Sequence, residues 1–200
     1  MNITLKNIKH YETMSEETYC FEGNLYVDNK KIGRVSNRGT GGCHDYDFSW
    51  KKEQELDQWC KDNLPKWKMF EQPYLEGHPK FNPNGKYKLM DTSLEFHISK
   101  LVGQFLEEKN LKSLLNKGVI AIDDDCNNEQ FYQWKFAKYK GTEKQKLIDQ
   151  VKKHIEKSDQ YKNPIVLNLL PFDKALQIFT GENKWTIYQQ EKQHQKNKHT

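Results

Sequence analysis

Residues 19–46, YCFEGNLYVDNKKIGRVSNRGTGGCHDY, decide how the rest of the chain is read. Tyr19, Phe21, Leu25 and Val27 share one parity, and Cys20, Glu22, Asn24 and Tyr26 share the other. That alternation predicts an antiparallel strand with one buried face. Asp28 and Asn29 tolerate the positive φ of a tight hairpin turn, and residues 32–35 return as the partner strand. The chain then breaks into a glycine-rich loop and ends on Cys43, His44, Asp45 and Tyr46. No other segment combines backbone freedom, positive charge and titratable side chains so densely.

Working outward, residues 3–8 alternate as a first strand. Ser49 or Asp47 is placed to cap a helix carrying Leu56, Trp59 and Cys60 and ending before Pro65. Residues 65–90 mix Pro65, Pro73, Pro79 and Pro83 with many aromatics, which predicts a long packed loop. Thr92-x-x-Glu95 reads as a capping box for a helix with Leu94, Ile98, Leu101, Val102 and Phe105 on its apolar stripe. The helix is expected to stop or bend near Asn110, with Gly118 at its C′ position. A short apolar strand over 119–122, a polar DDDCNN turn and a return strand near Phe131 and Trp134 follow. Thr142-x-x-Gln145 suggests a second capping box, opening a helix with Leu147, Ile148, Val151 and Ile155 inside. A strand over 165–169 and a last helix opened by Pro171 and closed at Gly181 complete the pattern. Partial segregation of strands and helices predicts an α+β fold, an antiparallel sheet with an N-terminal β-hairpin packed against three to five helices. The 200 residues suit a single domain over 1–185 and a polar, basic, flexible tail over 186–200.

The composition limits the function classes. Charged residues reach 30%, but 12% aromatic content is too rich for a disordered chain, so a core leaning on Phe, Tyr and Trp is expected. Half of the net charge of +4 comes from the tail, where Lys192, Lys196 and Lys198 face Glu191 alone. A body this close to neutral makes nucleic acid a secondary partner. Cys20, Cys43, Cys60 and Cys126 form no CxxC pair, and no apolar stretch suits a secretory signal or a membrane span. The expectation is a cytoplasmic protein with reduced thiols and no membrane partner.

The leading candidate site is the glycine loop. Backbone N–H groups around Gly39, Gly41 and Gly42 can form an anion nest, with Arg34, Asn37, Arg38 and His44 as flanking ligand-binding residues. The spacing matches neither a Walker A nor a GxGxxG pattern, so a sharp structural turn is the competing reading. His44, Asp45 and Asp47 form a candidate acid/base or divalent-metal set, with Asp123, Asp124 and Asp125 as remote partners. Cys43 with His44 or His78 is a weaker nucleophile pair, and His97 lacks the i+4 partner of a zinc helix. The aromatic stretch from Trp67 to Tyr87, interleaved with lysines, offers a stacking surface or a protein interface.

Two blocks carry a resemblance: LKNIKHYETMSEETYCFEGNLYVDNKKIGRVSNRGTGGCHDY at 5–46 and VLNLLPFDKAL at 166–176. They resemble a group of small bacteriophage and mobile-element proteins to which no activity is attached. The resemblance implies an accessory protein in a host-cell cytoplasm and carries over no functional residue. The resulting expectation is a binding protein without a cofactor, ahead of an enzyme. Its partner would be a host protein or an anionic nucleotide, with inhibition, nucleotide capture or counter-defence as the role. The alternatives are a divalent-metal phosphodiesterase or nuclease using His44, Asp45 and Asp47, and a nucleic-acid-binding protein. A homo-oligomer is compatible with either.

Overall fold

The computed structural model describes residues 1–70, 87–124, 126, 130–139 and 143–181. Tail residues 186–200, Asp125, His78, Thr142 and most of the aromatic stretch lie outside them. The fold is α+β, and its contacts divide the chain into two compact units, Met1–Phe105 and Leu106–Thr200.

The first unit is built on a four-stranded antiparallel sheet of order β1-β2-β3-β4, with β1 Ile3–His10, β2 Phe21–Val27, β3 Lys30–Asn37 and β4 Asp45–Tyr46. Asp28 and Asn29 sit at φ 49° and 66°, the left-handed pair that a two-residue hairpin turn with the sheet's own twist requires. Phe21, Gly23, Leu25 and Val27 are buried while Glu22, Asn24 and Tyr26 are half-buried, so the period-two pattern sets which face is inside. A bulge with Asn7 at φ 55° interrupts edge strand β1 between Lys6 and Lys9. Each fully buried Leu or Phe contributes about 1.5–3 kcal/mol. Exposed ion pairs such as Lys9–Glu22 (3.0 Å) add little beside that.

Helix α1, Trp50–Asn63, is capped by Ser49, whose hydroxyl accepts from the Lys52 N–H, and it buries Leu56 and Cys60. The ends of the long proline-rich segment are not loop: they pair as antiparallel strands, β5 Trp67–Phe70 with β6 Tyr87–Met90. Helix α2, Leu94–Lys117, is continuous. Its N-cap is Ser93, whose Oγ accepts from the Phe96 N–H at 3.1 Å. The expected capping box is not formed, because Thr92 donates to the Pro65 carbonyl at 2.6 Å and Glu95 accepts from the His44 N–H at 3.3 Å. No break occurs at Asn110. Asparagine costs a helix about 0.7 kcal/mol, whereas the neighbouring Leu111 is fully buried, a gain of about 1.5–3 kcal/mol.

In the second unit β7, Gly118–Ile122, follows α2 directly, so Gly118 opens a strand instead of closing a helix. It lies between β8, Tyr132–Lys135, and β9, Ile165–Val166, both antiparallel to it. Every residue of β7 is buried. Ile120 and Ile122 join Leu111, Leu167, Ala175 and Ile178 in one cluster. Val119 and Ala121 join Leu147, Ile148, Val151 and Ile155 of α3, Lys144–Lys157, in another. A strand covered on both faces reads as an unbroken apolar run. The expected strand over 165–169 is shortened, because 167–169 wind into a 3-10 turn before α4, Phe172–Phe179. Gly181 follows α4 at φ 76°.

Candidate functional site

The glycine loop is held from within the first unit. Gly39 and Gly41 lie at φ 88° and 85°, which side chains avoid. A Cβ on Gly39 would strike the Met14 carbonyl, and one on Gly41 would strike the Glu17 carboxylate. The Gly39 carbonyl accepts from three successive N–H groups, those of Glu16, Glu17 and Thr18, at 3.0, 2.9 and 3.2 Å. The loop's own amides turn inward: Gly39 N–H donates to Asn37 Oδ1 at 2.8 Å and Gly41 N–H to Thr18 Oγ1 at 3.4 Å. Two of the three glycine amides that suggested an anion nest, those of Gly39 and Gly41, are therefore engaged by Asn37 and Thr18.

Asn37, only 3% exposed, is the centre of this arrangement. Its Oδ1 also accepts from the Thr18 hydroxyl at 2.9 Å, and its Nδ2 donates to the Gly42 carbonyl at 2.8 Å. Because the Gly39 N–H can only donate and the Gly42 carbonyl can only accept, the amide has one allowed orientation. Its second N–H then faces His44 Nδ1 at 3.0 Å, which must accept. The His44 proton is thereby placed on Nε2, donating to Ser99 Oγ at 3.0 Å.

This chain of Ser99, His44 and Asn37 has the spacing of a nucleophile triad and the opposite proton arrangement. A general base needs a lone pair toward the hydroxyl, and here the lone pair faces the amide. As wired, His44 holds Ser99 and does not activate it. Burial pushes the His44 imidazole below its ordinary 6.5, against the pull of Glu95 and Asp45. Phe21 meets the ring edge-on at 5.2 Å. Burial likewise raises the neighbouring Tyr46 phenol, with Glu95 adding to the shift.

The chain of bonds borders a cleft of ≈ 460 Å³ lined by residues 15–19, Phe21, His44 and Ser99. Its described lining carries two carboxylates, Glu16 and Glu17, the 46% exposed ring of Tyr19, and no cationic side chain. A depression of ≈ 540 Å³ also reaches Ser99 and is walled by Trp67 and Phe96, stacked at 4.8 Å. Of its charged residues, Lys61 and Asp91 are already paired, with Asp57 at 2.6 Å and Lys66 at 2.7 Å, and Glu95 accepts from the His44 N–H.

The remaining sequence candidates are dispersed. Arg34 lies 3.6 Å from Glu22, and Arg38 lies 3.6 Å from Asp45. Asp47 is exposed, with its N–H donating to the Arg34 carbonyl. Cys43 is exposed, and the His44 ring nitrogens beside it are engaged with Asn37 and Ser99. His97 Nε2 faces the Ile3 carbonyl at 3.5 Å, and burial lowers its pKa. In the second unit, buried Asp123 accepts from the Cys126 N–H, the Tyr132 hydroxyl and the Lys162 N–H at 3.0, 3.2 and 3.4 Å. Asp124 accepts from Asn163 at 2.6 Å. These two carboxylates tie down the loop before β9. Among the described residues, no three His, Cys, Asp or Glu side chains come together as a metal site would require.

Sequence reasoning selected Asn37 and His44 as ligand contacts and found neither their mutual bond nor the roles of Thr18, Glu95 and Ser99. Ser99 lies 55 positions from His44 and carries no motif. Among the described residues, no helix is long and apolar enough to cross a membrane. Comparison with protein-family models, with curated proteins and with solved structures finds no match to this chain.

Proposed function

We propose that the protein acts by binding, as a phage or mobile-element accessory factor that engages a host protein through the cleft beside His44. The observation that carries this reading is the lining itself, with the carboxylates of Glu16 and Glu17, the open ring of Tyr19 and no cation. A lysine or arginine side chain from a partner suits that combination, through charge and cation–π contact. A nucleotide suits it poorly, because its phosphates would meet two carboxylates, with the Gly39 and Gly41 amides already bonded. The phage setting, with its counter-defence role, rests on the resemblance of residues 5–46 and 166–176.

Calorimetry tests the reading with length-matched peptides carrying lysine and arginine, neutral peptides, and a nucleotide panel. The cationic peptides are expected to bind. Replacing Glu16 and Glu17 together with glutamine should weaken them about tenfold or more, the worth of one charge-assisted contact, while Glu22→Gln on the outer sheet face should not. Nucleotide binding that survives the double substitution would sink the proposal, and so would peptide binding indifferent to it.

A further inference from the structure

We infer that His44 is a pH-sensitive latch: adding a proton to its ring releases the glycine loop and, with it, the cleft wall formed by residues 16–18. The inference rests on the binding reading above only for its consequence at the cleft. The latch itself follows from counting donors and acceptors.

Asn37 cannot turn its amide over, since that would set its NH2 group against the Gly39 N–H and its carbonyl against the Gly42 carbonyl. Its second N–H therefore always points at His44 Nδ1, 3.0 Å away. A neutral ring accepts that bond and donates from Nε2 to Ser99. An imidazolium carries N–H on both nitrogens, so two donors would face each other across 3.0 Å. Asn37 is 3% exposed and cannot swing into water without dropping Thr18 and Gly39. Protonation must therefore break the bond between His44 and Asn37 and leave a buried amide N–H without its acceptor.

The surroundings favour the ring leaving. From α2, the Ser99 hydroxyl faces it, and the Glu95 carboxylate lies at the His44 backbone N–H. Asp45 and Tyr46 follow it in sequence, with Asp45 partly offset by Arg38 at 3.6 Å. From β2, Phe21 meets it in a T-shaped contact and brings no charge, and the cleft wall adds Glu16 and Glu17. A charged ring is thus drawn toward the carboxylates of the cleft and away from Asn37. The loss reaches the wall through Asn37, which with one N–H unpaired holds Gly39 less firmly, and Glu16, Glu17 and Thr18 hang by their N–H groups from the Gly39 carbonyl. Burial, which holds the imidazole below 6.5, puts the transition on the acid side of an ordinary histidine.

NMR on the full chain tests the latch. The His44 ring signal is followed from about pH 7.5 to 5, together with hydrogen exchange at the Gly39 and Gly41 amides, each corrected for its intrinsic rate. Protection at both amides is expected to fall about tenfold, the worth of one hydrogen bond, with the midpoint of the His44 titration. His97→Gln should leave this response unchanged. His44→Gln, which keeps an acceptor for Asn37 and cannot titrate, should abolish it. Constant protection through the His44 titration would overturn the inference, as would an equal fall in His44→Gln. Asn37→Asp gives a second route: a carboxylate accepting from Nδ1–H should raise the His44 midpoint by about one unit or more, and an unmoved midpoint would refute the assigned contact. None of these measurements uses a ligand, so failure of the latch and failure of the binding proposal are separately visible.

Discussion

Alanine at Asn37 probes how the loop and the cleft wall are held. The side chain is 3% exposed and bonds to Thr18, Gly39, Gly42 and His44 at 2.8–3.0 Å. The substitution removes all four bonds together. Gly42 is exposed and its carbonyl regains water, while half-buried Thr18 and His44 regain part of their solvation. Losses of that kind cost about 0.5–1.5 kcal/mol each. Gly39 is buried, so its N–H is left without a partner at about 1–3 kcal/mol. Removing the amide also relieves its own burial cost, which brings the expected total to about 3 kcal/mol. A chain of two units need not unfold in one step, so the suitable assay is native-state hydrogen exchange at the β2–β3 ladder. A loss of 3 kcal/mol appears there as a roughly hundredfold fall in protection. A change below about 0.5 kcal/mol would show that Asn37 does not organise the loop and would remove the basis of the cleft.

Gly39→Ala should cost about 2 kcal/mol or more, because it combines a positive φ with a clash against the Met14 carbonyl. Gly42→Ala, with open space around its Cβ position, should change little, and thermal unfolding of the two variants checks both. Ile120→Ala, at a fully buried position in the second unit, should cost about 2–5 kcal/mol in urea unfolding. Burial pushes the Asp123 carboxyl up, but hydrogen bonds from Cys126, Lys162 and Tyr132 outweigh it and hold the group below 3.8. Its folded value lies below its unfolded one, so its contribution is complete above 3.8 and is lost as pH falls through the folded value. The stability gap between the native chain and Asp123→Asn should therefore narrow on acidification below about pH 4. His44 and His97 have the opposite charge type: both are held below 6.5 when folded, so the unfolded chain takes up more protons and stability declines as pH drops below 6.5. A chain lacking both imidazoles, His44→Gln with His97→Gln, should show a shallower decline by chemical denaturation.

Local chemistry in the sequence determined the hairpin, the helices and the α+β class. Period-two alternation in residues 21–27 and a turn of Asp28 and Asn29 leave few other conformations available. Ser49 caps α1 where it stands, and Leu147, Ile148, Val151 and Ile155 are the buried stripe of α3. These features depend on residues a few positions apart, and the chain states them directly. Tertiary structure decided which polar groups find each other. Thr92 and Glu95 are spaced as a capping box, yet they bond to Pro65 and His44. Asn110 suggests a stop, yet burial of Leu111 carries the helix past it. The loop named as a candidate from its glycines takes its meaning from Asn37, Thr18 and Ser99, whose partners lie up to 55 residues away. A hydrogen bond across such a separation depends on where the backbone has been carried and on which groups are cut off from water there. The tautomer of His44, and with it the difference between an activated serine and a latched loop, exists only in the folded chain.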